Sequence, residues 1–200
     1  MTDAGHGRPA TAARVRRLEE RVLAAGLASD AELNAILAEL YERASPVNGA
    51  RMVARAWTDP AYLRRLLGDG NAAAAELGFY IGTGTGPGSG HRLRVVANEP
   101  GRHNMIVCTL CSCYPVSLLG PSPGWYKSLA YRSRAVREPR AVLAEFGLSL
   151  PAETQIAVWD SSAETRYMVL PRRPDGTDGL PGSKLATLVT RNGLIGTAAV

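Results

Sequence analysis

Ile106–Val107–Cys108–Thr109–Leu110–Cys111–Ser112–Cys113–Tyr114–Pro115–Val116 carries every cysteine of the 200-residue chain. The sulfurs of Cys108, Cys111 and Cys113 stand at i, i+3 and i+5, a crowding that scattered core cysteines do not produce. There is no fourth cysteine, and no histidine follows closely, so the usual zinc patterns are not met. The spacing predicts a metal enzyme whose ion is held by these thiolates and by the peptide between them.

Because Cys111, Ser112 and Cys113 are consecutive, their backbone can grip an ion as well as their side chains. The Cys113 thiolate and its own amide nitrogen close a five-membered chelate, and the amides of Ser112 and Cys113 close another. The Cys111 thiolate and the Ser112 amide close a six-membered ring. These four donors can share a plane, Cys108 can bend its thiolate in from one side, and a sixth position stays open. Deprotonating a peptide nitrogen is costly, so the ion must be highly charged and directional. Trivalent cobalt or iron fits, and zinc fits poorly. The open position is where water or a small molecule would be activated. Thiolates beside a metal are also candidates for oxidation to sulfenic and sulfinic acids. A structural zinc shared with another chain, a redox pair (Cys108/Cys111 or Cys111/Cys113), or three inert buried cysteines are the alternatives.

Outward from this stretch, Leu93–Ala97, Met105–Cys108, Thr154–Trp159 and Arg166–Leu170 read as strands. Pro139–Phe146 reads as a short helix closed by Gly147, Ser183–Thr190 as a final helix, and Leu194–Val200 as an apolar tail. Upstream, the run from Gly82 to Gly90 is a glycine-rich linker without the lysine of a phosphate loop. Ahead of it the pattern is helical. Arg14–Ala25 forms a charged helix, and Ser29 with Glu32 makes a capping box before the stripe Leu33, Ile36, Leu37 and Leu40. Ser45–Gly49 reads as a break before a helix over Ala50–Trp57, Asp59–Pro60 starts a helix to Leu67, and Asn71–Leu77 is a further short one. The expected class is α+β: a tail at 1–13, a helical arm at 14–81 that packs on a partner, the linker at 82–90, and a small mixed α/β domain at 91–200 carrying the metal claw.

The net charge of +5 comes almost wholly from arginine, since Lys127 and Lys184 are the only lysines. These arginines are spread along the chain, without aromatic interleaving or a helix-turn-helix pattern, so a solvated or subunit-facing surface is expected rather than nucleic acid. The first residues lack a basic segment followed by an apolar run, and no stretch is long and apolar enough for a membrane span. A cytoplasmic protein is the expectation.

The claw, read as V-C-(T/S)-L-C-S-C over Val107–Cys113, resembles that of the nitrile hydratase α subunit and of its close relative, the thiocyanate hydrolase γ subunit. The resemblance extends to Asn48–Pro60, Trp125–Ser128, Val136–Arg140 and Glu164–Pro171, and so to nearly the whole chain from about residue 14. Thr109 and Tyr114 match the cobalt type, where serine and threonine would match iron. The resemblance implies one Co(3+) per α subunit, held by the thiolates of Cys108, Cys111 and Cys113 and the amide nitrogens of Ser112 and Cys113. It further implies Cys111 as sulfinate and Cys113 as sulfenate. A β-type subunit, one chain or two, would supply arginines to those oxygens, and a metallochaperone would load the ion. Catalysis would rest on Cys111, Ser112, Cys113 and Tyr114.

Tyr114 could cover the core face beside the claw or bond near Ser112. Trp125 and Tyr126 are expected to pack, and Thr109 to fill a strand or help select the metal. His91 and His103 are expected outside the site, and Arg140 and Arg166 in salt bridges at an interface. The chain departs from the family after the claw: Val116 and Ser117 stand where the family has tryptophan and proline, which frees space for a bulky or heterocyclic nitrile. The implied activity is nitrile hydration to an amide. Thiocyanate hydrolysis to carbonyl sulfide and ammonia, or a non-catalytic cobalt-handling protein, are the alternatives.

Overall fold

Serine and aspartate caps set the helix boundaries in a computed structural model that describes residues 9–81, 91–111 and 113–200. The linker segment 82–90 and Ser112 therefore lie outside the described residues, as does most of the expected tail. Helix α1 spans Pro9–Ala24, starting ahead of the expected Arg14. Helix α2 spans Asp30–Arg43, entered through the Ser29–Glu32 capping box, with Glu32 accepting from the Ser29 amide at 2.8 Å. Helices α3 (Pro46–Thr58), α4 (Pro60–Gly68) and α5 (Gly70–Ala75) begin at the caps Ser45, Asp59 and Asp69.

The expected break at Ser45–Gly49 is thus the first turn of α3. Ser45 accepts from the Val47 amide and Pro46 occupies the first helical position, the same cap-then-proline signal that opens α4. Gly49 sits inside the helix because the neighbours leave no room for a side chain: a Cβ would stand 2.8 Å from Leu194 Cδ1 and 2.9 Å from the Leu118 carbonyl oxygen.

Four strands follow: β1 (Arg92–Ala97), β2 (Arg102–Val107), β3 (Gln155–Asp160) and β4 (Thr165–Leu170). They form two parallel ladders, β1 with β4 from Arg92↔Thr165 and β2 with β3 from Arg102↔Gln155. Between β2 and β3 run α6 (Val116–Leu119), a 3₁₀ turn (Gly124–Lys127), α7 (Leu129–Arg137) and α8 (Pro139–Glu145). Helices α9 (Gly182–Leu188) and α10 (Arg191–Ile195) close the chain, so the expected apolar tail is partly helical, with Leu194 and Ile195 buried.

The α+β class holds, and its core runs through both halves of the sequence. Met52, Val53, Tyr62, Leu66 and Ala73 from α3–α5 are buried together with Met105, Ile106 and Val169. Within the expected arm, Val15, Leu18, Ile36 and Leu37 of α1 and α2 are exposed, as are Val47 of α3 and Leu67 of α4. Among the described residues no helix is long and apolar enough to cross a membrane.

A directional hydrogen-bond chain pins the C-terminal segment to the strands. The Trp159 indole can only donate, and it donates to Asn104 Oδ1 at 2.9 Å. Asn104 Nδ2 therefore donates onward, to the Ala97 carbonyl and to Asn98 Oδ1. Asn98 Nδ2 then faces His103 Nδ1 at 3.3 Å, which leaves Nε2 as the protonated nitrogen, donating to the Gly196 carbonyl at 2.7 Å. A second proton on His103 would set donor against donor. Burial also holds the imidazole below its ordinary value of 6.5, against the opposing pull of the Gly196 carbonyl. The unfolded chain takes up a proton near pH 6.5 that the folded chain refuses, so stability present above that pH is lost as pH falls. The melting temperature should drop between about pH 7 and about pH 5.5, and a His103→Gln variant should lose part of that slope. An unchanged slope would show that this imidazole carries none of it.

Candidate metal centre

Strand β2 delivers the first sulfur. Met105, Ile106 and Val107 are buried between the ladders, and Cys108 follows them, fully buried. The β2–β3 register ends at Val107↔Asp160, and the Val107 carbonyl accepts from the Ser161 amide at 2.8 Å. Beyond this point the chain turns and brings Cys111 to the surface and Cys113 half-way back.

The three sulfurs converge. Cys108 Sγ lies 3.3 Å from Cys111 Sγ, and Cys111 Sγ lies 3.0 Å from Cys113 Sγ. All three lie within 4.8 Å of one another. The Cys111 amide donates to Cys108 Sγ at 3.3 Å, which ties the two ends of the turn together. In the isolated chain, burial and the contact with Cys111 push the Cys113 thiol up to about 12, against the opposing charge of Arg166. Three sulfurs this close cannot all ionise without a multivalent cation among them, and a set of soft thiolates suits a transition-metal ion. The donor set therefore fits a metal at Cys108, Cys111 and Cys113.

Side chains from the 3₁₀ turn and α7, which the sequence pattern did not reveal, and from the end of the expected strand β3 hold the turn. Tyr131 on α7 donates to the Ile106 carbonyl at 2.6 Å, and Tyr126 on the 3₁₀ turn donates to the Cys113 carbonyl at 3.1 Å. Burial pushes the phenols of Tyr114, Tyr126 and Tyr131 up, so all three remain neutral. Arg132 Nε donates to the carbonyls of Cys108 and Thr109. Asp160, at the end of β3, accepts from the Thr109 amide at 2.9 Å and from its hydroxyl. One sequence signal does mark Arg132: it has no carboxylate three or four residues away, whereas Arg134 has Glu138 and pairs with it.

Tyr114 is buried beside the claw. Its ring meets Tyr126 edge-on with centroids 5.0 Å apart, and its hydroxyl reaches toward the Leu119 carbonyl at 3.5 Å. Trp125 packs as expected, against Tyr131 and Phe146 at 4.8 and 4.6 Å. Tyr126 packs and also holds the claw. His91 and His103 are not part of the cysteine cluster. Arg140 and Arg166 form no ion pair within the chain among the described residues, and the expected pairs at a subunit interface are not tested by a single chain. Arg140 spans the carbonyls from Leu150 to Thr154, and Arg166 donates to those of Ser162 and Ala163, because loop carbonyls lie nearer than any carboxylate.

The sequence profile described as nitrile hydratase, alpha chain, matches residues 9–198. The chain is 47% identical over 185 residues to the low-molecular weight cobalt-containing nitrile hydratase subunit alpha of Rhodococcus rhodochrous, covering 92% of this chain and 86% of that one. It is 46% identical over 187 residues to thiocyanate hydrolase subunit gamma of Thiobacillus thioparus, covering 90% and 76% respectively. In three dimensions it is similar to a double mutant of the Fe-type nitrile hydratase from Comamonas testosteroni Ni1, with a TM-score of 0.86 and 42% identity over 96% of this chain and 91% of that one.

Proposed function

The chain belongs to the nitrile hydratase α-chain family, and from that premise we propose that it is the catalytic α subunit of an enzyme that hydrates a nitrile to its amide. The observation that carries this reading is the convergence of Cys108, Cys111 and Cys113 within 4.8 Å. The proposed ion is one cobalt(III) per α subunit, supported by the cobalt-containing relatives and by Thr109 and Tyr114. Its ligands are the three sulfurs and the amide nitrogens of Ser112 and Cys113. Bound there, it would supply Lewis acidity toward a C≡N group.

Within this reading the residues divide the work. Cys108, the most buried, is left unoxidised. Cys111 is carried as sulfinate and Cys113 as sulfenate, products of an external oxidant such as dioxygen. The Cys113 oxygen takes the proton of the attacking water or itself attacks the nitrile carbon. Tyr114 and Tyr126 keep water from the inner wall. Carbon gains oxygen and nitrogen gains two protons, so one water is added without net redox change.

The partner is a β-type subunit that supplies arginines to the oxidised sulfurs and packs against the exposed apolar faces of α1 and α2. A metallochaperone loads the ion in the cytoplasm. Co-expression with a β-type subunit and cobalt, followed by assay of amide from a nitrile panel, tests the proposal. Cobalt-free protein, or loaded complex that forms no amide, would refute it. Thiocyanate hydrolysis is the second reading, supported by near-equal identity to that enzyme's γ subunit. Carbonyl sulfide and ammonia from thiocyanate, with no amide from nitriles, would decide for it.

Val116 shapes substrate range in this proposal. It is half-buried and opens α6 directly after the claw. Val116→Trp should cut kcat/KM for large aromatic or heterocyclic nitriles by about 10-fold or more while sparing small ones, a loss of the size expected when a pocket is filled. An unchanged profile would remove Val116 from the pocket.

A further inference from the structure

The geometry points to Arg132 as a positioning residue that holds the Cys108 end of the sulfur cluster in place, an inference that rests on the metal reading above. The β2 ladder stops at Val107, and the next two carbonyls, of Cys108 and Thr109, turn toward the same guanidinium. Nε lies 3.1 Å from the Cys108 oxygen and 3.2 Å from the Thr109 oxygen, while Nη2 lies 2.5 Å from the latter. Two carbonyl dipoles aimed at one point repel each other unless a cation sits between them. A flat fork of fixed N–H groups meets both at once, which a single ammonium point cannot do as well.

On its other side Thr109 is held by the opposite charge, that of Asp160. The Thr109 amide donates to Asp160 Oδ1 at 2.9 Å. Among the described residues Arg132 forms no ion pair, with Asp160 or any other carboxylate, so its guanidinium is committed to the turn. The adjoining Tyr131 bonds the Ile106 carbonyl at 2.6 Å, which fixes α7 to the end of β2 and gives Arg132 a rigid base. Cys108 Sγ meets Cys111 Sγ at 3.3 Å only while the peptide after Cys108 keeps this orientation. The bonds of Arg132 run to the carbonyls of Cys108 and Thr109, so it acts through the backbone.

The test uses the assembled, cobalt-loaded complex with Arg132→Met and Arg132→Lys. The expected result for Arg132→Met is a kcat lower by about 10- to 100-fold, as for loss of a ligand's supporting contact. KM should stay within about twofold. Two readouts independent of turnover should move as well: faster loss of cobalt to a chelator, and a shift of the sulfur-to-metal absorption band. Arg132→Lys, which keeps the charge and stem, should fall between Met and wild type, and it carries the test should the Met variant not assemble. A lowered melting temperature with wild-type kcat per bound cobalt and an unmoved band would overturn the inference, as would wild-type behaviour in all readouts. Wild-type complex without metal would remove the metal reading itself, a failure visible before any variant is made.

Discussion

Replacing Cys108 with serine should leave a folded chain that no longer retains metal, with amide formation lower by more than about 100-fold, beyond the usual cost of losing a ligand's supporting contact. Cys108 is the informative position because the proposal leaves it unoxidised, so its loss reports on ligation alone. Serine nearly preserves its volume in a fully buried place, its hydroxyl can still accept from the Cys111 amide, and the bonds from Arg132 and to Asp160 are spared. A hydroxyl, however, neither ionises readily nor offers a soft donor. Metal per chain, melting temperature and amide yield should be measured on the same preparation. Full cobalt content with full activity would show that Cys108 is no ligand.

The largest stability effect is expected far from the sulfurs. Gly196 ends α10 with φ of 86°, in the left-handed region, and a Cβ there would overlap the Asn104 carbonyl oxygen and stand 2.8 Å from Met105 Cα. Both are backbone atoms of β2, held by a paired strand, so neither can yield as a flexible side chain would. Gly196→Ala should therefore destabilise the chain by about 3 kcal/mol or more, since the overpacked contact adds to backbone strain. For a domain of this size that is a fall of roughly 6 °C or more in melting temperature. A thermal melt within about 2 °C of wild type would show that the C-terminal segment is held less closely than its contacts imply.

How far the sequence could be read depended on whether a signal was local. Asp59–Pro60 and Ser29–Glu32 announce helix starts because a cap and its partner lie within a few residues. The strands were legible as β-branched and apolar runs, and the cysteine spacing located the sulfur cluster. Ser45–Pro46 carries the same signal as Asp59–Pro60, but Asn48–Gly49 masks it, since a glycine chosen for close packing looks like a breaker until Leu194 and Leu118 are seen against it. Helix α7 was hidden for another reason. Tyr131 and Ala135 are its buried residues while Leu129 and Val136 face outward, so no apolar stripe marks it. Of the residues that steady the turn, Tyr131, Arg132 and Asp160 meet it from more than 20 positions away, and nothing in the sequence between announces the contact.

The pairing of Thr109 with Asp160, 51 positions downstream, sets an order of events during synthesis. When the cysteines leave the ribosome, the strand that will brace them has not yet been made, and β4, which completes the other ladder, comes later still. Until then the sulfurs hang on an unsupported loop, open to stray oxidation or to whichever cation arrives first. On the proposed reading, an ion arriving before Leu170 has been made would meet a loose loop and one arriving later a braced cluster, so the timing of delivery would bear on which metal is held.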